Sequence, residues 1–277
     1  MMTLLETIVL AIVQGVTEFL PISSTAHLVL LPWLFGWPDP GLTYNVVLHA
    51  GTLMALLVYF ASTWAALLAS LVTGRTQELA LLAGVEQPRR LLGLVAVATV
   101  PAALAGYALE RYAETVFRTP RLVAAALLLV ALVMWFADQM PGLTKKLNQI
   151  TWGDGLTVGV AQALAIVPGV SRAGITMVAG MFRGLERETA ARFSFLLATP
   201  IIAGAAVQKF AEISVVGLPE GVSGLTLAVG FVVSAVTGFA AIAFLLRYLQ
   251  RHTLKIFVAY RVVLGIMILV FELLQAS

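Results

Sequence analysis

The stretch QGVTEFLPISSTAHL, Gln14 to Leu28, sets Glu18, Ser23, Ser24, Thr25 and His27 between flanks, TIVLAIV and VLLPWLF, as apolar as membrane lipid. In a helix, Gln14 and Glu18 at i and i+4 share a face, and Ser24 and His27 at i and i+3 share another once a second helix has begun. The four then converge on the break between the two helices. A helix starting at Ser23 or Ser24 aims free backbone N–H groups and its positive dipole end at that break, which suits an anion. Ser171 and Arg172, in VPGVSRAG (Val167–Gly174), begin a second such helix. Arg172 adds a planar fork matched to phosphate oxygens. Two helix N-termini, one guanidinium, a hydroxyl beside an imidazole and one carboxylate are the parts of a phosphate-transfer site.

Each residue also has a plainer reading. Glu18 caps the outer end of its helix, although an acid at mid-membrane costs about 2.5–3.5 kcal/mol and usually has a purpose. His27 is a hydrogen-bonded packing residue, Ser23 and Thr25 are helix caps, and Arg172 pairs with Asp154 as its only local rival to an anionic ligand. His49 and Arg261 are polar residues on apolar spans without a motif and read as structural pairs. Gln162 and Thr176 read as second-layer contacts or interhelical hydrogen bonds. ERETAARFS (Glu186–Ser194) reads as a solvated helix start.

The elements that hold these residues belong to an integral membrane protein. Hydrophobic residues make up 60% of the 277, charged residues 11%, and the mean hydropathy is +0.98, far outside the range of soluble domains. The expected fold is all-α, with six transmembrane helices near Val46–Leu71, Leu91–Leu109, Leu122–Phe136, Phe193–Gln208, Leu225–Leu246 and Ile256–Leu274. The alternation of a membrane β-barrel is missing. Two further apolar stretches, Leu4–Trp33 and Thr151–Phe182, are interrupted by LPISS (Leu20–Ser24) and by VPGVSRAG. A proline followed by hydroxyls ends one helix and caps the next, so each stretch is expected to form a re-entrant helical hairpin. Non-helical backbone at membrane depth needs protein or a wet cavity around it, so both breaks predict a polar cavity. Sliding the chain by 147 residues lays Pro21 on Pro168, Ser24 on Ser171 and Thr52 on Thr199. The chain thus reads as one membrane domain, 1–277, built from two repeats, about 1–138 and about 150–277. Each repeat holds one hairpin and three spans, and that odd number of crossings makes the second inverted relative to the first.

Basic residues orient the chain. On the face of the N-terminus the loops hold Arg111, Arg118, Arg121 and Lys209; the opposite loops hold Arg75, Arg89, Arg90, Lys145, Lys146, Arg183, Arg187, Arg192, Arg247, Arg251 and Lys255. The richer face is expected to be cytoplasmic, so the first hairpin opens outward, with Trp33 and Trp37 in an interfacial belt. The formal charge of +3 is mostly this topological signal, and nothing points to nucleic acid. Met1–Leu20 lacks the basic start and small-residue cleavage site of a signal peptide. Zero cysteines exclude disulfides, thiolate metal sites and a cysteine nucleophile.

The two broken segments carry a resemblance. QGVTEFLPISSTAHL is similar to the glutamate-rich signature of the undecaprenyl-diphosphate phosphatase family, the bacitracin-resistance proteins, and VPGVSRAGITMVAG is similar to its PGxSRSG signature. LHAGTLMALLVYF (Leu48–Phe60) and LLRYLQRHTLKIFVAYRVVLG (Leu245–Gly265) extend the similarity over nearly the whole chain. The resemblance implies hydrolysis of the C55 isoprenyl diphosphate to the monophosphate and inorganic phosphate, recycling the carrier lipid of cell-wall synthesis in the bacterial inner membrane. It places the family's acidic pair on Gln14 and Glu18, its serines on Ser23 and Ser24 and its histidine on His27. Gly169, Ser171, Arg172 and Thr176 match the second motif. Two departures stand out: Gln14 leaves the site one carboxylate, and Ala173 removes one hydroxyl.

The implied catalytic set is Ser24 as nucleophile, His27 as its base, Glu18 and Arg172. Ser23, Thr25, Gly169, Ser171 and Thr176 would bind substrate along with Arg172. Glu18 with Gln14 would hold a divalent cation, Mg2+ or Ca2+, bridging the phosphates. Direct attack by water, with Ser24 only a ligand, stays open. The expected partners are the isoprenyl diphosphate and membrane lipids, with no obligate protein partner. The competing class is a lipid-phosphate flippase or anion transporter, because broken helices in inverted repeats also serve alternating access; a carrier, however, has no use for a nucleophile and a base.

Overall fold

The computed structural model describes residues 2–38, 41–72, 76–114, 117, 119–216 and 223–276. Of the basic residues used for orientation, Arg75, Arg118 and the side chains of Arg111 and Lys209 lie outside the described residues.

Helix α1 (Leu4–Phe19) starts at Thr3, whose hydroxyl accepts the Glu6 N–H while the Glu6 carboxylate accepts the Thr3 N–H. It stops at Leu20, held extended (φ −70°, ψ 141°) by the proline that follows. Helix α2 (Ser24–Phe35) starts from Ser23 and ends at the left-handed Gly36. The chain continues through α3 (Gly41–Tyr59), α4 (Ala61–Val72), α5 (Thr76–Ala83), α6 (Pro88–Glu114) and α7 (Pro120–Asp138). Helix α8 (Trp152–Ala163), capped reciprocally by Thr151 and Asp154, tightens into a 3-10 turn at Leu164–Ile166 before Pro168, and α9 (Arg172–Phe182) starts from Ser171. The long helices α10 (Arg187–Val216), α11 (Gly224–Leu249) and α12 (Lys255–Ala276) complete the bundle.

At 16, 12, 12 and 11 residues, α1, α2, α8 and α9 are each about 16–24 Å long, short of the roughly 30 Å hydrocarbon core. Among the described residues five helices are long and apolar enough to cross: α6 over Pro88–Leu109, α7, α10 over Arg187–Gln208, α11, and α12 over Lys255–Leu274. The expected span Val46–Leu71 is not one straight helix: it is a pair, α3 and α4, bent by 77° at Phe60, a broken span or a re-entrant loop. Phe60 is buried with its ring 6.4 Å from Phe195 and 5.1 Å from Tyr59. Backbone bonds from Phe60 to Leu56 and from Trp64 to Phe60 persist through the bend. No proline or glycine stands at the corner to announce it.

The caps of the two breaks match one residue away from the shift of 147. Ser23 (φ 74°) and Ser171 (φ 69°) are the only non-glycine residues with positive φ among the described residues. Each side chain accepts the N–H three residues on, from Ala26 and from Gly174. Ser171 therefore corresponds to Ser23, and Arg172 to Ser24. Extended Leu20 is three residues before its cap, whereas extended Val167 is four before its own; the extra residue is taken up with Gly169 at φ 95°. A gap-free shift of 147 cannot show that insertion.

Small residues let the short helices approach the long ones. Helix α1 packs along α11 and α8 along α6. A Cβ on Gly15 would fall 1.9 Å from Thr237 Oγ1, and one on Gly159 would fall 2.2 Å from the Ala98 carbonyl oxygen. The second hairpin returns to the end of the bundle it left, since Asp154 at the start of α8 meets Arg183 at the end of α9 at 2.8 Å and Lys145 at 3.1 Å. Burial works to raise the Asp154 carboxyl, but the Thr151 backbone, Arg183, Lys145 and the Thr151 hydroxyl hold it at about 2. The same end is tied together by Arg90 on the carbonyls of Asn148 and Ile150, and by Asp138 accepting from Arg187 and from the Leu254 N–H. ERETAARFS does open α10, but Thr189, Ala190, Ala191 and Phe193 are buried, so only part of this start is solvated.

Candidate active site

The two breaks meet. The Gly169 N–H donates to Ser23 Oγ at 3.2 Å, and both half-helix starts face a cavity of about 230 Å³. Its polar lining is Glu18, Ser23, Ser24, Thr25, His49, Gln162, Ser171 and Arg172; its apolar wall includes Ala102 and Gly106 of α6, Ile166 and Ile201. That volume lies below the roughly 300–1,000 Å³ of drug-sized pockets, and suits a headgroup without its tail.

Glu18, in the last turn of α1, is the hub. Its Oε2 accepts from the Gln14 amide at 3.0 Å and from the Ser24 hydroxyl at 2.5 Å, while Arg172 donates to its Oε1. Ser24 and Arg172 are the first residues of α2 and α9, so the two half-helices meet on one carboxylate. Asp154, engaged with Lys145 and Arg183, leaves Arg172 to Glu18. His49 of α3 also faces Glu18, with Nε2 3.5 Å from Oε2. Its Nδ1 lies 2.7 Å from the Asn45 carbonyl; a carbonyl only accepts, so Nδ1 carries a proton and Nε2 presents its lone pair in the neutral ring.

Several expected site residues stand elsewhere. His27 does not join the convergence: its Nδ1 donates to the Ser23 carbonyl at 2.7 Å, and its Nε2 lies 2.6 Å from the Tyr260 hydroxyl of α12. The i,i+3 spacing brings its backbone near Ser24, but the imidazole is spent on bracing the Ser23 turn and stacking on Tyr260. Thr176 is fully buried, its hydroxyl shared between the Arg172 carbonyl and Ser194 Oγ, both at 2.6 Å. Gly169 contributes backbone to the contact between the breaks, and Gln14 sits behind Glu18 with its Oε1 unpaired. Thr25 and Ser171 line the cavity, Thr25 with its Oγ1 3.2 Å from Ser23 Oγ.

Arg261 of α12 is fully buried, and its hydrogen bonds go to backbone carbonyls: Leu127 and Ala126 of α7, Pro21 of the first break, and Gly169 and Val170 of the second. Among the described residues no carboxylate pairs with it within 4.0 Å. One guanidinium fork thus fixes both turns and leaves its charge uncancelled behind the half-helix N-termini.

The family model of the bacitracin resistance protein BacA matches residues 7–267. The chain belongs to that family. Similar relatives are the undecaprenyl-diphosphatases of Moorella thermoacetica, 49% identical over 96% of this chain and 97% of the relative, and of Desulforudis audaxviator, 46% identical over 98% of each. That of Pelotomaculum thermopropionicum is 46% identical over 97% of each. Membership in the BacA family agrees with the resemblance carried by the two broken segments.

Beyond those segments, three residues of the site escaped motif reading. His49 and Arg261 signalled only as lone polar residues in apolar spans. Their partners include main-chain carbonyls, which have no side-chain signature. Tyr260 gave no signal, because a tyrosine in an apolar helix is unexceptional.

Proposed function

We infer that the protein removes the terminal phosphate of undecaprenyl diphosphate, leaving undecaprenyl phosphate and inorganic phosphate. The observation that carries the chemistry is the meeting of Ser24 and Arg172, each the first residue of a half-helix, on Glu18. Family membership and the printed names of the relatives supply the substrate.

In the reading we favour, the diphosphate enters the cavity with its tail leaving past Ala102, Gly106 and Ile201. Arg172 turns from Glu18 onto the phosphates, joined by the N–H groups at the starts of α2 and α9. Ser24 Oγ attacks the terminal phosphorus and its proton passes to Glu18 Oε2, the acceptor it already addresses at 2.5 Å. The bond from that phosphorus to the bridging oxygen breaks, undecaprenyl phosphate departs, and water then releases phosphate from Ser24. Glu18 takes the role first expected of His27, which holds the Ser23 turn. Direct attack by water, positioned by Ser24 and Glu18, is the alternative step.

A divalent ion fits this donor set only together with substrate. Among the described residues no three His, Cys, Asp or Glu side chains cluster, while Glu18 and the unpaired Gln14 Oε1 are hard oxygen donors. Mg2+ or Ca2+ would be held there by Glu18, the carboxylate that lines the cavity, with Gln14 behind it, and would neutralise charge on the diphosphate.

The same reading takes the chain as one domain of two inverted repeats in the inner membrane, with six crossings counting the bent pair α3–α4. The matching caps, and the exchange by which α1 packs on α11 and α8 on α6, support it. The basic end that gathers Arg90, Lys145, Arg183 and Arg187 supports a cytoplasmic position for that face, so the first hairpin opens outward. No obligate protein partner is proposed. Phosphate release from farnesyl and C55 diphosphates by the purified protein, with and without chelator, tests the reading. Turnover that needs metal is expected; binding without hydrolysis would turn the assignment toward a carrier.

A further inference from the structure

Gln162 in the last turn of α8 has no part in the chemistry above. It is 3% exposed, lines the cavity, and neither its Nε2 nor its Oε1 has a hydrogen-bond partner. Such a group bears the desolvation cost of both atoms with nothing in return. Other buried polar side chains in these helices avoid that cost. Thr176 and Thr199 donate to the carbonyl four residues back, and Ser234 reaches the Leu48 carbonyl of α3. The remaining orphan atoms, Gln14 Oε1, Asn45 Oδ1 and Trp64 Nε1, belong to residues that do not line the cavity. Gln162 is thus the cavity residue whose polar capacity the protein leaves wholly unused.

Its neighbours say what it would meet. Ser171 and Arg172 follow it across the break, while Ala163, Ala165 and Ile166 flank it in sequence and line the same cavity, with Ala102 and Gly106 on α6. Gln162 therefore sits at the seam between the anion-binding and apolar walls. We propose that Gln162 is a substrate-binding residue whose amide N–H donates to an oxygen of the lipid-linked phosphate, the one the tail leaves from. This rests on the reading of the cavity as the diphosphate site. It adds a second polar contact, apart from the Glu18–Arg172–Ser24 group, that fixes how the two phosphates lie.

The test uses full-length protein and farnesyl diphosphate as probe, measuring kcat/KM and the thermal unfolding midpoint of Gln162→Leu and Gln162→Glu beside Arg172→Ala. Leucine removes both polar atoms at similar volume. Because they have no partner in the protein, Gln162→Leu should hold or raise the unfolding temperature while kcat/KM falls about 10–100-fold, the loss of one hydrogen bond to a charged group. Gln162→Glu should fall further, because it sets a carboxylate against phosphate. An unchanged kcat/KM in Gln162→Leu, or a drop in unfolding temperature that accounts for its lost activity, overturns the proposal. Arg172→Ala separates the two levels. If it is inactive while Gln162→Leu is normal, only the role of Gln162 falls; if it too is fully active, the reading of the cavity falls with it.

Discussion

Ser24 and Arg172 reach the same carboxylate from different half-helices, yet their loss should be felt differently. Ser24→Ala deletes the attacking oxygen and keeps Arg172 and both helix ends, so binding of the lipid diphosphate should persist while hydrolysis falls by several orders of magnitude. If water attacks directly, the same change should cost only about 100-fold, as for one lost stabilising contact; single-turnover phosphate release, with binding measured separately, tells the two apart. Arg172→Lys keeps the charge and loses the two-pronged fork, and should weaken both binding and rate. Glu18→Gln should abolish turnover, since it removes the acceptor of the Ser24 proton, whereas Gln14→Glu should leave a working enzyme. The contacts among Gln14, Glu18 and Ser24 were legible in the sequence, because they lie within one break, where spacing decides who meets whom. The ring contact of His27 was not legible there: its spacing from Ser24 is local, but the Tyr260 hydroxyl that its Nε2 meets lies 233 residues away.

At the scale of elements, the breaks were readable from Pro21, Pro168 and the hydroxyls after them, since proline and caps act on their immediate neighbours. The bend at Phe60 was not, because no proline or glycine marks it and the contacts of the Phe60 ring, such as that with Phe195, are distant in sequence. Close helix contacts give a direct check. Gly159→Ala places a methyl 2.2 Å from the Ala98 carbonyl oxygen, which cannot yield without moving α6. A loss of about 1–3 kcal/mol is expected, read as a lower unfolding temperature in detergent. The mouth of the second hairpin should carry a pH dependence. Asp154 is held at about 2 against an ordinary 3.8, so its stabilisation is complete above about 4 and fades as pH falls toward 2. Unfolding temperatures of the natural protein and Asp154→Asn should converge over that window and differ above it.

For the whole molecule, the scarcity of metal-binding side chains makes a distinct forecast. With no cluster of three ligands among the described residues, Mg2+ alone should leave the unfolding temperature unchanged, and Mg2+ with a diphosphate should raise it. A shift with the ion alone would point to a preformed metal site. Arg261 carries a consequence that belongs to biosynthesis. Every described residue lining the cavity lies at or before Ile201, yet Arg261, on a helix made after all of them, holds the carbonyls of Pro21, Gly169 and Val170 in place. During synthesis the nascent chain would thus carry all its reacting groups into the membrane before the turns that aim them are secured. A chain ending at residue 250 should insert with its cavity residues complete and hydrolyse nothing, and the centre should switch on only when α12 leaves the ribosome and docks.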